Sequence, residues 1–202
     1  VAFARIEREI QGGRFHVVPS EGFPFFICAD LIRSEHLVLG QELTEAEFSV
    51  LQKLQNTHDC RAQALVYLAR REHTAKELQQ KLQQKGFSQP IIKQVLEDLE
   101  AENLLSEYRY ALLMIESRQR KNPEGRILMA QRLSAKGVGR QEAEKALDEL
   151  YTPELTTEYV QKAYRQVLDK HADTDQARFL LQKKGFSSYE IRTALESFSQ
   201  NE

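Results

Sequence analysis

The sequence predicts a mainly α-helical chain: three tandem three-helix repeats in an elongated, curved array, preceded by a small β-rich N-terminal subdomain. Three observations carry this. Glycine and proline are scarce, nine and five in 202 residues, which argues against long loops and an all-β architecture. Five of the ten phenylalanines fall within residues 1–28, so the first part of the chain differs from the rest. Lys-Gly followed by an aromatic or aliphatic residue occurs three times, at Lys85-Gly86-Phe87, Lys136-Gly137-Val138 and Lys184-Gly185-Phe186.

The N-terminal elements follow from turn signals. Gly12-Gly13 and Pro19-Ser-Glu-Gly22 separate short runs at 3–10, 14–18 and 23–28. Gly-Gly between two such runs is a hairpin signal, so the expectation is a three-stranded antiparallel sheet. Two short helices are expected next, one over about 30–36 and one beginning at Thr44, where Thr44-Glu-Ala-Glu47 forms a capping box.

After His58 the pattern is helical throughout. The three glycines are spaced 51 and 48 residues, and apolar residues recur around them. Four residues before each lie Leu82, Leu133 and Leu181, and eight before lie Leu78, Met129 and Ala177. Six after lie Ile92, Ala143 and Ile191; ten after, Leu96, Leu147 and Leu195; thirteen after, Leu99, Leu150 and Phe198. The columns before the glycine form one stripe of a helix that stops at the lysine, with the glycine in the left-handed position beyond its end. Ser88, Gly139 and Ser187 then cap a second helix, with Ser187-Ser-Tyr-Glu190 as another capping box. An earlier helix precedes each unit, which makes nine repeat helices in all. The expected divisions are 1–57 (sheet plus helices), 58–105, 106–151 and 152–202. Each unit of about 48 residues buries little surface alone, so neighbours should pack on one another.

Lysine plus arginine (28) nearly balance aspartate plus glutamate (30), for a net charge of −2. That excludes a basic coat over the whole molecule. No apolar run is long enough to span a membrane. The first residues lack a secretory pattern, and the two cysteines, Cys28 and Cys60, make no disulfide framework. A reduced, cytoplasmic protein is expected. His58-Asp-Cys60 has no further ligand at a metal spacing. His171-Ala-Asp173 has no nucleophile beside it and is placed on a connection between helices. No phosphate-binding loop or catalytic constellation stands out, and the acidic pairs read as exposed and solubilising. No enzyme activity, cofactor or metal is expected.

Charge is nevertheless sorted by helix. The second helix of the units (74–85, 125–136, 174–184) carries nine basic residues against Glu77 and Asp175. The third (88–102, 139–150, 187–198) carries ten acidic residues against four basic. A helix-turn-helix reader would place its third helix in the major groove. Here that helix is the acidic one, so sequence-specific DNA reading is not expected. The densest positive stretch, 109–140, holds eight basic residues against Glu116 and Glu124. Arg118, Arg120, Lys121 and Arg126 crowd one loop, with Arg132 and Lys136 on the next helix. The alternative is a solvated surface with cations near helix C-termini, where the dipole favours them.

The run Leu68-Ala-Arg-Arg-Glu-His-Thr-Ala-Lys-Glu-Leu-Gln-Gln-Lys-Leu-Gln-Gln-Lys-Gly86-Phe, with the two further Lys-Gly units, resembles the RecX family of regulatory proteins over about 60–200. Residues 1–56 look like the extension of its longer members. Arg178-Phe-Leu-Leu-Gln-Lys-Lys-Gly-Phe-Ser fits well. The second unit departs, with Arg132 where Glu is expected and Ile127-Leu128 where basic residues are expected. The resemblance implies binding to the filament of RecA on single-stranded DNA. It also implies restraint of RecA's ATPase, strand exchange and growth, in DNA repair, homologous recombination and the SOS response. Lying along the filament groove and capping its end both remain open, as does what the N-terminal sheet contributes. The expected partners are the RecA filament, and single-stranded DNA through it or directly, with no membrane, for a monomeric protein. The candidate partner-binding residues are Arg70, Arg71, Lys76, Arg109, Arg118, Arg120, Lys121, Arg126, Arg132 and Lys136. The alternative function is a non-specific single-strand binder, for which Tyr108 and Tyr110 around Arg109 are a weak sign.

Overall fold

The computed structural model describes residues 3–10, 13–168 and 174–199. Its described residues form four strands and ten helices. The chain divides into two compact units, Val1–Tyr67 with Lys81–Asp98, and Leu68–Gln80 with Leu99–Glu202.

In the first unit, β1 (Ala4–Ile10), β2 (Arg14–Pro19) and β3 (Phe25–Cys28) form the expected antiparallel sheet. A fourth strand, β4 (Glu42–Leu43), extends it, giving the order β3-β2-β1-β4. It was not anticipated. Two residues cannot display an alternating pattern, and β4 is fixed only by its partners, Ala4 opposite Leu43 and Arg5 opposite Glu42. Helix α1 (Ala29–Ser34) follows β3. Helix α2 (Glu45–Leu68) starts at the predicted capping box, where Thr44 N–H donates to Glu47 Oε2 (2.7 Å) and Glu47 N–H to Thr44 Oγ1 (3.3 Å). It is not short. It runs 24 residues, so the division expected between 57 and 58 falls inside it. Phe48 and Leu51 of α2 pack with Ala4, Ile6, Val17, Ile27 and Leu43 of the sheet. Phe48 sits edge-on to Phe3 and Phe25. Gln55, nearly buried, is satisfied by Cys28 N–H and Asp59, each at 2.8 Å.

The remaining helices are α3 (Ala75–Gln84), α4 (Gln89–Ala101), α5 (Glu107–Lys121), α6 (Arg126–Lys136), α7 (Arg140–Leu150), α8 (Pro153–Leu168), α9 (Thr174–Lys183) and α10 (Ser188–Ser199). The repeat is visible atom by atom. Gly86, Gly137 and Gly185 have φ of 91°, 85° and 87°. Beyond each, the next N–H returns to the leucine four residues before the glycine: Phe87 to Leu82, Val138 to Leu133, Phe186 to Leu181. That is the Schellman closure of a helix. The two apolar columns before the glycine are fully buried in all three copies. Ile92, Ala143 and Ile191 are buried after it. The side chain of Phe198 lies outside the described residues. In the second unit, α5, α6 and α7 enclose one core (Ile115, Met129, Leu133, Leu147) and α8, α9 and α10 another (Val160, Ala163, Leu181, Ile191). Ser187 and Glu190 make the predicted capping box at 2.6 and 3.2 Å.

Candidate partner-binding surface

The basic loop joins α5 to α6. Arg118, Arg120 and Lys121 occupy the last turn of α5, where the C-terminal dipole favours cations, and Arg126 opens α6. Between them lies Glu124, which the charge count registers only as one of two acids in the stretch 109–140. It is 2 % exposed. Its carboxylate accepts from Arg118 Nη2 (2.6 Å), Arg132 Nε (2.5 Å) and Arg132 Nη2 (3.0 Å). Burial pushes this carboxyl up, but the two guanidiniums outweigh that and hold it below its ordinary range. Gln119 closes the loop by accepting from Glu124 N–H (3.1 Å) and donating to Glu124 O (2.7 Å). Tyr151 O–H adds a bond to that carbonyl at 2.9 Å.

Other candidates are also engaged. Arg126 Nη2 reaches Glu144 (2.6 Å) and Asp148 (2.8 Å) of α7, so part of the basic second helix neutralises the acidic third helix of its own repeat. Arg109 donates to Glu72 (2.8 Å), to Asn103 Oδ1 (2.8 Å) and to the Asn103 and Leu104 carbonyls. Glu77 gathers three partners: Arg71 Nη1 at 3.0 Å, His73 Nδ1 at 3.2 Å and Lys136 Nζ at 3.5 Å. Burial raises Glu77, while Arg71, His73 and Lys136 bring it below the ordinary carboxylate value. Six of the ten candidates, Arg71, Arg109, Arg118, Arg126, Arg132 and Lys136, thus hold carboxylates. Arg70, Lys76, Arg120 and Lys121 are exposed and form no ion pair among the described residues. Lys162 joins Arg120, donating to its carbonyl at 2.7 Å. The cleft there is also lined by Glu116 and Glu158.

The charge count missed the groups that tie one repeat to the next. Thr74 Oγ1 donates to Lys136 O at 3.0 Å, and Gly125 N–H donates to Lys184 O at 2.8 Å. Both stand twelve residues before a repeat glycine. That register was in the sequence, at the cap of the second helix.

Among the described residues no group of three or more His, Cys, Asp or Glu is placed to hold a metal ion. Burial pushes the Cys60 thiol up to about 11, away from thiolate chemistry. His171 and Asp173 lie outside the described residues. No described helix is long and apolar enough to cross a membrane.

The family model described as "RecX, first three-helix domain" matches residues 60–99. The regulatory protein RecX of Streptococcus sanguinis is 31% identical over 174 residues, covering 85% of this chain and 67% of that protein. The regulatory protein RecX of Halorhodospira halophila is 34% identical over 147 residues, covering 69% and 88%. The fold matches a crystal structure of regulatory protein RecX with a TM-score of 0.79 at 20% identity, over 97% of this chain and 100% of the other. The repeated Lys-Gly closures and the likeness along most of the chain have one conclusion: this protein belongs to the RecX family of regulatory proteins.

Proposed function

We propose that this chain binds the filament of RecA on single-stranded DNA and restrains its ATP hydrolysis, strand exchange and growth. It does so as a monomeric cytoplasmic protein without a cofactor or an active site of its own. The observation that carries the reading is family membership, at 31–34% identity to proteins named as RecX regulators. The three repeats, the first opening within α2 and running to about 105, the others about 106–151 and 152–202, are the units that meet the filament. The cations left for it are Arg70, Lys76, Arg120 and Lys121. The paired arginines hold the loop that presents Arg120 and Lys121.

Direct single-strand binding has less support. Arg109 is held by Glu72 and Asn103, and Tyr110 is buried. Tyr108 donates to Glu149, with Lys145 over its ring. None of the three forms an open stacking platform.

The test is filament binding across a salt series. Arg120→Glu with Lys121→Glu should weaken binding more than about tenfold, with helical content retained and melting lowered only by the acids at the helix C-terminus, because surface charges steer and hold such contacts. Glu97→Lys with Asp98→Lys should do much less. If the acidic-helix variant proves the weaker binder, the contact face is the other one. Arg118→Glu is a poor probe, because it places a second acid against Glu124.

A further inference from the structure

Two of the three Lys-Gly turns receive the preceding repeat in the same way. In the first joint, Thr74 at the head of α3 donates to Lys136 O (3.0 Å), and Lys136 Nζ lies 3.5 Å from Glu77. The Lys76 stem covers Gly137 so closely that a Cβ there would meet Lys76 Cδ at 2.7 Å. In the second joint, Gly125 N–H donates to Lys184 O (2.8 Å), and Lys184 Nζ donates to Asn122 Oδ1 and lies 3.4 Å from Pro123 O. Leu128 covers Gly185, 2.7 Å from a Cβ placed there. Three parts recur: a donor for the lysine carbonyl, an acceptor for the lysine ammonium, and a side chain over the bare glycine. The pairing is physically sensible. A helix C-terminus leaves carbonyls unpaired and carries negative partial charge, and a helix head supplies the opposite.

Lys85-Gly86 is the same turn with no repeat before it. Lys85 and Gly86 are exposed, and nothing lies within 4 Å of a Cβ placed on Gly86. Lys85 Nζ has no ion pair among the described residues. Among the described residues, the two helix heads that meet such a turn, at Thr74 and Gly125, are already seated.

We propose that the Lys85-Gly86 turn is a docking socket for the first turn of a partner protein's helix. That helix has a Ser, Thr or Gly cap donating to Lys85 O and an acidic or amide side chain within a turn that takes Lys85 Nζ. The partner is the RecA filament, so this inference rests on the reading above.

The experiment measures binding to RecA filaments on single-stranded DNA for the full chain, Lys85→Glu, Gly86→Asn and a control, Lys53→Glu, on the exposed side of α2. Asparagine tolerates the left-handed backbone and places a side chain over the socket. Lys85→Glu and Gly86→Asn should each weaken binding about tenfold, and Lys53→Glu should bind as the parent does. Lys85→Glu should keep the parent's helical signal and a single cooperative melt, lowered only by placing an acid at a helix C-terminus. Parent-like binding by both socket variants overturns the socket alone. Failure of the parent to bind overturns the functional reading and the socket together. Self-association of the parent that Lys85→Glu abolishes would make the occupant a second copy and overturn the partner-helix assignment.

Discussion

Gly86 and Gly137 end their helices with the same φ, within a few degrees, and the same returning N–H bond to a leucine. Their surroundings differ completely. Gly86 faces nothing within 4 Å, whereas Gly137 lies under the Lys76 stem and Gly185 under Leu128. One three-residue motif therefore does a local job everywhere and a tertiary job only where a preceding repeat exists. The local job is conformational. The tertiary job is steric and needs the absence of a Cβ a second time.

The comparison is sharpest at Gly125, which has no unusual φ but receives the Gly185 turn. A Cβ there would lie 1.9 Å from Gly185 O, a backbone atom that cannot rotate away. Gly125→Ala should destabilise by about 3 kcal/mol or more, read by urea or thermal unfolding. A parent-like melting temperature would break the joint as described.

Next come the repeat glycines. Gly137→Ala and Gly185→Ala should each cost about 2–4 kcal/mol, combining the left-handed penalty with overpacking. Gly86→Ala carries the first term alone, about 1 kcal/mol. Equal losses at all three would mean that the neighbouring repeat adds nothing.

Glu124→Gln probes the loop beside the second joint. Removing one partner of a fully buried pair costs about 3–5 kcal/mol. Arg118 and Arg132 are 37% and 39% exposed, so solvent screening reduces the expectation to about 2 kcal/mol. The pH dependence has a definite sign. The folded-state pKa of Glu124 is depressed, so its contribution is complete above the ordinary carboxylate pKa of about 4.3 and is lost as pH falls through the lower folded value. Glu124→Gln should flatten that acid limb of stability. An unchanged limb would assign the acid sensitivity to other carboxylates.

The helical part of the fold was legible because its signals are local. A left-handed glycine, a leucine four residues before it and a capping box are all read from a few neighbouring residues. Strand β4 was not legible, since two residues carry no period. The 24-residue span of α2 was expected as two helices, one from Thr44 and one after His58; no Gly or Pro lies between them to end the first, so they run on as one. At the surface, the identity of the cations was legible and their pairing was not. Glu124 meets Arg118 and Arg132, six residues before it and eight after, and Thr74 meets Lys136 across 62 residues. Neither follows the three- or four-residue spacing that links side chains on one helix. Counting charge along the chain therefore overstated the positive surface left for a partner.

The most direct test of the account is RecA-dependent ATP hydrolysis on single-stranded DNA, titrated with the purified full chain. Hydrolysis should slow at stoichiometric or lower amounts of this protein, which should hydrolyse nothing by itself. Unchanged RecA turnover with this protein in excess, together with no co-assembly on the filament, would contradict it.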